Sequence, residues 1–346
     1  MHLVYYESFG CQMNAYDTEV ISSLLDAHGY GVTGEPAEAD IIIVNTCSVR
    51  ERAEERAIGR LNDLSRHRIA TLVVCGCMAQ RLGERLFERI PELDIVAGTD
   101  SYKHLALMIE AAREHRQRIS RVDMDGTTTY SLKDAASPGG VTRYLSITRG
   151  CENYCSYCIV PYLRGAVRSK PPDDIVREIR HMVTGGAKEV TLLGQNVMSY
   201  RWRDLGFTDL VERVIDETDI RRIRFLTTHP RDLDDGIFGI MARHDRVCRH
   251  LHLPVQAGSD RILGMMNRGY TRKEYVARLE RAREIIPDLA VTTDVIVGFP
   301  GESDDDFAQT LSLVEECLFD AAFTFKYSPR EGTKAAQRAD DVPGEI

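Results

Sequence analysis

The stretch RGCENYCSYCIVPYLRG, residues 149–165, sets three cysteines at 151, 155 and 158, a C-x3-C-x2-C spacing that runs into Pro161 and Gly165. Spacing of i, i+4 and i+7 also describes a helical core stripe. That reading fits poorly here, because the segment follows a strand signal, contains Asn153 and meets Pro161. A closed zinc site wants four nitrogen or sulfur ligands, and no further Cys or His lies within twenty residues of the trio. A [4Fe–4S] cluster has four corner irons, commonly all held by thiolates. Three cysteines would leave one iron open to a substrate or cofactor.

Outward from this stretch, residues 141–330 alternate strands with helices. Strand signals fall at 144–149, 188–194, 222–228, 249–255, 290–298 and 320–327. Helical patterns fill the gaps at 172–185, 207–218, 232–243, 272–286 and 303–317. Six βα-type units predict a partial (β/α)6 TIM-like barrel with its active site at the carboxyl ends of the strands. The cysteine cluster follows the first of those strands.

The first third of the chain predicts a separate α/β domain with an open parallel sheet. Strands are expected at 3–10, 39–47, 70–77 and 93–98, and helices at 14–28, 48–67, 79–90 and 101–115. Ser48 with Glu51 forms a capping box. Helix 48–67 mixes both charge signs and reads as a solvent face laced with i,i+4 pairs. Cys11, Cys47 and Cys77 each stand at the carboxyl end of a strand, the edge where open parallel sheets bind ligands. Cys75 leaves the same strand face as Cys77. Residues 116–140 read as an irregular or hairpin linker, and 331–346 as a tail that completes no element.

Length and composition agree with two domains. The 346 residues carry nine cysteines and a net charge of −9. An odd, scattered set of cysteines in an intracellular-looking chain points to metal or redox chemistry rather than a disulfide framework. No apolar run approaches the roughly 20 residues that span a bilayer, and MHLVYYESFG is no signal peptide. The expected location is cytoplasmic, with no membrane partner. The acidic balance excludes a surface that is basic throughout, but not a local basic patch.

GCENYCSYCIVPYLRG, with GCQMN (10–14), NTC (45–47) and GCMAQR (76–81), resembles the methylthiotransferases of the radical S-adenosylmethionine (SAM) superfamily. LLGQNV (192–197), HLPVQAGSDRIL (252–263), MNRGYTRKEY (266–275) and DVIVGFPGE (294–302) are most similar to the MiaB-type tRNA methylthiotransferases. The resemblance covers essentially the whole chain. It implies that Cys151, Cys155 and Cys158 hold a [4Fe–4S] cluster that cleaves SAM to a hydrogen-abstracting radical. Cys11, Cys47 and Cys77 would hold a second [4Fe–4S] cluster carrying the sulfur to be transferred, and the match to GCMAQR selects Cys77 over Cys75. A second SAM would supply the methyl group. The implied reaction is methylthiolation of C2 of N6-isopentenyladenosine beside the tRNA anticodon. The alternatives are the same chemistry on threonylcarbamoyladenosine in tRNA or on an aspartate of a ribosomal protein. Outside enzymes, the alternatives are an iron–sulfur electron carrier and a zinc-binding nucleic-acid module. A monomer is implied, served by an electron donor such as flavodoxin or ferredoxin.

By the same resemblance Gly194, Gln195 and Asn196 form a loop at the methionine part of SAM. Gln256 and Ser259 would bond its ribose or carboxylate, and the loop from Val297 to Glu302 lies on the adenine side. Arg164, Arg168 and Lys170 are expected on SAM's carboxylate or tRNA phosphate, or in a solvated loop. Arg221, Arg222 and Arg224 form another basic group. His229 faces substrate or is a hydrogen-bonded structural histidine. Cys248 and Cys317 read as small buried hydrophobes. The family pattern departs at Glu152, Ala166, Val167 and Met198. Family members also carry a C-terminal β-barrel, the TRAM domain; this sequence stops at Ile346 before one begins, so weak tRNA binding is expected of it.

Overall fold

The computed structural model describes residues 1–48, 51–66, 70–132, 139–339 and 342; the side chains of residues 51 and 52 also lie outside the description. The Ser48–Glu51 capping box therefore falls outside it, as do parts of the expected linker and tail. The chain forms two compact units: residues 1–138 with 162–168, and residues 139–161 with 169–346.

Unit 1 is a six-stranded sheet in the order β2-β1-β3-β4-β5-β6. Its strands are β1 (Leu3–Ser8), β2 (Gly31–Val32), β3 (Ile41–Thr46), β4 (Thr71–Gly76), β5 (Ile95–Ala97) and β6 (Ile119–Arg121). Every pairing is parallel. The helices are α1 (Gln12–Asp26), α2 (Glu51–Leu64), α3 (Cys77–Leu82), α4 (Arg85–Arg89) and α5 (Leu105–His115). β3 and β4 are buried at every residue. Burial on both faces is why they read as unbroken apolar runs rather than alternating ones. Ile42, Val44, Leu72, Val74 and Val96 pack with Ala57, Leu61 and Leu64 of α2 and with Met78 and Leu82 of α3.

Two expectations change here. Helix α2 is not solvent-facing all round, because its many charges flank a narrow apolar stripe that closes the core. Ser48 donates to Glu54, which also pairs with Arg81. Residues 119–121, expected in the linker, are the sixth strand of the sheet.

The barrel of unit 2 is built on six strands, β7 (Thr142–Ser146), β8 (Glu189–Leu193), β9 (Arg222–Phe225), β10 (His250–His252), β11 (Ala290–Val297) and β12 (Ala321–Lys326), beside shorter two-residue pieces. The six form two parallel three-stranded sheets, β7-β8-β9 and β10-β11-β12. The isolated bridge Ile223–Val247 ties β9 to the segment that leads into β10. Sequential parallel strands with intervening helices make the open (β/α)6 barrel that the pattern predicts. The short helix α6 (Val160–Arg164) leads the chain out of unit 2. The later helices are α7 (Pro172–Thr184), α8 (Phe207–Glu217), α9 (Gly236–Arg243), α10 (Asp260–Met265), α11 (Arg272–Ile285) and α12 (Asp304–Cys317). Among the described residues no helix is long and apolar enough to cross a membrane.

Lys170, expected near a ligand or solvent, instead lies inside unit 2. Its ammonium is 2.8 Å from Glu178, and both side chains are 2% exposed. Breaking a buried pair strands the other charge, at a cost of about 3–5 kcal/mol. Lys170→Met should lower the unfolding free energy read from urea denaturation by that amount, and Lys170→Met with Glu178→Met should recover most of it. Equal destabilisation by the single and double variants in equilibrium unfolding would show the pair to be irrelevant.

Candidate functional site

In unit 1 the site is set by strand order. β1, β3 and β4 are neighbours and run parallel, so their carboxyl ends share one edge. Cys11 caps α1 just after β1, Cys47 follows β3, and Cys77 opens α3 directly after β4. Gly10 and Gly76 precede two of these cysteines with φ of +121° and +90°. A Cβ on Gly10 would collide with Cys47, and one on Gly76 with Asn45 and the Thr46 backbone. Only glycine lets the chain turn this tightly at the thiols.

Two of the thiols interact with each other, and one cation, Arg164, lies beside Cys77 with its charge near Cys11. Cys47 hydrogen-bonds Cys11, and this bond, with the nearby Arg164 guanidinium, pulls the Cys11 thiol down to about 6. Arg164 Nε lies 3.4 Å from Cys77 Sγ. Its Nη2 donates to Asp17 Oδ2 at 3.1 Å and to Asn14 Oδ1 at 3.5 Å. Asn14 and Asp17 are buried residues of α1 that sequence reasoning missed. Their only signal was position, three and six residues after Cys11. Cys75 lies apart from this rim: it is fully buried, its Sγ is 3.8 Å from the Val44 carbonyl, and burial pushes its thiol well up.

Arg164 was expected on SAM or phosphate, and Arg168 likewise. In the structure both are buried against carboxylates. Arg164 is 3% exposed and turns Nε to Cys77 and Nη2 to Asp17 and Asn14. Arg168 is buried on Asp100 at 2.6 Å. A buried guanidinium has to find a carboxylate, so local charge pattern misled here.

In unit 2 the second set sits on a loop fastened to the segment after α10. Ser156 N donates to the Met266 carbonyl and Ser156 Oγ to the Met265 carbonyl, both at 2.9 Å. Asn267 Nδ2 donates to the carbonyls of Asn153 at 3.2 Å and Tyr154 at 3.0 Å. Ala335 N donates to the Ser156 carbonyl at 2.8 Å. Within the loop, Cys158 N reaches the Cys155 carbonyl at 2.9 Å. Burial, then the neighbouring Cys155, pushes the Cys158 thiol up to about 12. Burial also raises Cys151.

Here too one buried arginine meets the set. Arg268, 3% exposed, has Nη1 3.3 Å from Cys155 Sγ and donates Nη2 to the Pro254 carbonyl at 2.7 Å. It lies in MNRGYTRKEY, but the sequence offered no reason to pick it. His229 Nδ1 accepts from Arg231 N at 3.2 Å, so its proton sits on Nε2, 4.0 Å from Cys155 Sγ. Burial, then the charges of Arg268 and Arg231, pull its pKa to about 2 and keep it neutral. The structural-histidine reading holds for Nδ1, while Nε2 faces the thiol.

The remaining expected residues divide. Gln195 Oε1 accepts from Gly150 N and so braces the turn into Cys151. Gly194 follows β8, where a Cβ would strike Thr148. Asn196 is buried, bonded to Asp232 at 2.6 Å and capping Met198 N at 3.2 Å. Gln256 has φ of +75° and bridges Val295 of β11. Ser259, expected on SAM, caps α10 and donates to Asp306 at 2.5 Å, which commits its hydroxyl proton to the protein. Val297 ends β11, opposite Lys326. Arg222 and Arg224 both pair with Glu189, at 3.5 and 3.3 Å. Cys317 is buried as expected, whereas Cys248 is only partly so.

All nine cysteines are free. Among the described residues no three His, Cys, Asp or Glu side chains converge as they would around a single metal ion. A cluster with irons at separate corners suits spaced thiolates better. An observation inside unit 1 favours such a group: Arg164 Nη1 is buried without an acceptor. The donor chemistry of both sets therefore fits an iron–sulfur cluster.

Residues 145–314 match the radical SAM superfamily and residues 3–98 the family described as uncharacterized protein family UPF0004. Three relatives are named tRNA-2-methylthio-N(6)-dimethylallyladenosine synthase. The one from Syntrophotalea carbinolica is 43% identical over 100% of this chain and 81% of its own length. That from Geobacter metallireducens is 46% identical over 98% and 79%. That from Porphyromonas gingivalis is 45% identical over 99% and 77%. Among solved structures, the radical SAM methyltransferase TsrM from Kitasatospora setae, with cobalamin and a [4Fe–4S] cluster bound, superposes with a TM-score of 0.73 at 15% identity, over 97% of this chain and 77% of that one. The cobalamin-dependent enzyme OxsB gives 0.62 at 12%, over 91% and 52%. At these identities the likeness is one of fold.

Proposed function

The chain belongs to the radical SAM tRNA methylthiotransferases, the family of the tRNA-2-methylthio-N(6)-dimethylallyladenosine synthases, and from that premise we propose that it methylthiolates C2 of N6-isopentenyladenosine in tRNA. The observation that carries this reading is the pair of three-cysteine sets, each met by one buried arginine. When bound, one cluster supplies reductive cleavage of SAM and the other supplies the sulfur, with a second SAM as methyl donor.

The protein's own part is placement. The loop of Cys151, Cys155 and Cys158 is held at several backbone and side-chain points, so its thiols are presented without reorganisation. Arg268 and His229 direct N–H groups toward Cys155, which offsets charge gathered on that sulfur. Gln195 fixes the turn into Cys151. Gly194 follows β8, Gln256 follows β10 and Val297 ends β11, on the barrel edge that binds ligands, and there they support contacts to SAM. The anticodon loop of tRNA is the macromolecular partner of this reading. It calls for a low-potential donor such as flavodoxin or ferredoxin, a monomer and a cytoplasmic location.

The test is nucleoside analysis. The chain is expressed in a strain lacking its own methylthiotransferases, and digested tRNA is analysed by mass spectrometry. 2-Methylthio-N6-isopentenyladenosine is the expected product. A methylthio group on threonylcarbamoyladenosine, or on a ribosomal aspartate instead, would move the substrate assignment and leave the chemistry.

A further inference from the structure

Arg164 follows the barrel cysteines in sequence, yet it belongs to unit 1. Its segment is fastened there: Thr99 Oγ1 donates to the Leu163 carbonyl at 2.9 Å, and Arg168, itself on Asp100, donates to the Arg164 carbonyl at 2.7 Å. The guanidinium is thus delivered at a fixed position. Asp17, fully buried and bonded by Tyr102 at 3.3 Å, anchors Nη2. Nε faces Cys77, and Nη1 is left buried without an acceptor.

A buried donor without a partner is rare in folded proteins and calls for an explanation. Asp17 balances the formal charge, but it does not use the donor. Sulfur atoms of a cluster on Cys11, Cys47 and Cys77 would use it, and N–H donors to cluster sulfurs raise reduction potentials. We propose that Arg164 is the positioning residue of the N-terminal cluster, holding the Cys77 side by its Nε and donating from Nη1 to a cluster sulfur, so that it sets the potential of that cluster. The inference rests on the reading that these three cysteines hold an iron–sulfur cluster.

The test uses the full chain with Cys151, Cys155 and Cys158 replaced by alanine, so that only the N-terminal cluster remains, reconstituted anaerobically. Iron and sulfide are counted, and the midpoint potential is read by titration followed by electron paramagnetic resonance. Arg164→Met should move the midpoint to more negative potential, and Arg164→Lys should move it less. Arg164→Met with Asp17→Asn removes the stranded carboxylate, so it guards against misfolding, and it should still titrate below the parent. A folded Arg164→Met chain that loses iron which Arg164→Lys retains would also support the role. An unchanged midpoint at full iron content in both methionine variants would overturn it. A parent that binds no iron at all would instead overturn the cluster reading beneath it.

Discussion

Replacing Cys151, Cys155 and Cys158 together by alanine should leave a folded chain that releases no 5′-deoxyadenosine from SAM and dithionite and forms no methylthio product. Iron should fall by about half, since two clusters of equal size are expected. The fold should survive for specific reasons. Each substitution removes one buried or half-buried heavy atom, worth on the order of 1 kcal/mol at most. The loop keeps its bonds to Met265 through the Ser156 hydroxyl and to Met266, Asn267 and Ala335 through its backbone. Arg268 keeps Pro254, Tyr157 and Tyr270 as partners. Circular dichroism and iron analysis on the same preparation separate lost chemistry from lost structure. Continued release of 5′-deoxyadenosine would remove these cysteines from SAM cleavage. A parent protein that binds iron but releases none would instead favour an electron carrier.

What sequence pattern conveyed follows from what is local. Strands β3 and β4 were legible because burial on both faces leaves an unbroken apolar run, and the six barrel strands because βα alternation repeats. β2 and β6 have two and three residues, too few to show any period. The cysteine positions were legible too: Gly10–Cys11, Gly76–Cys77 and Gly150–Cys151 repeat one device, a glycine at positive φ turning the chain at a strand end. The arginines were not. Arg164 reads as one of three basic residues after a cysteine loop, and nothing local says that Asp17, 147 positions away, claims it. Arg268 meets Cys155 across 113 positions. Pairing of buried charges is a property of the finished core, so a charge pattern read along the chain assigned Arg164, Arg168 and Lys170 to ligand or solvent, and all three proved buried on carboxylates.

The complementary triple, Cys11, Cys47 and Cys77 to alanine, should split the reaction in two. SAM cleavage depends on unit 2, so 5′-deoxyadenosine release should persist with about half the iron retained. Methylthio product should fall below detection, because the sulfur source is gone. The change is tolerable in unit 1: Arg164 keeps Asp17 and Asn14, and the neighbouring core of β3, β4, α2 and α3 is untouched. The decisive measurement pairs high-performance chromatography of 5′-deoxyadenosine with mass spectrometry of the tRNA nucleosides in one incubation. Cleavage without methylthiolation assigns sulfur supply to the first set and radical generation to the second. Product formed at the parental level would mean that the transferred sulfur comes from elsewhere, and that the rim of β1, β3 and β4 serves another purpose.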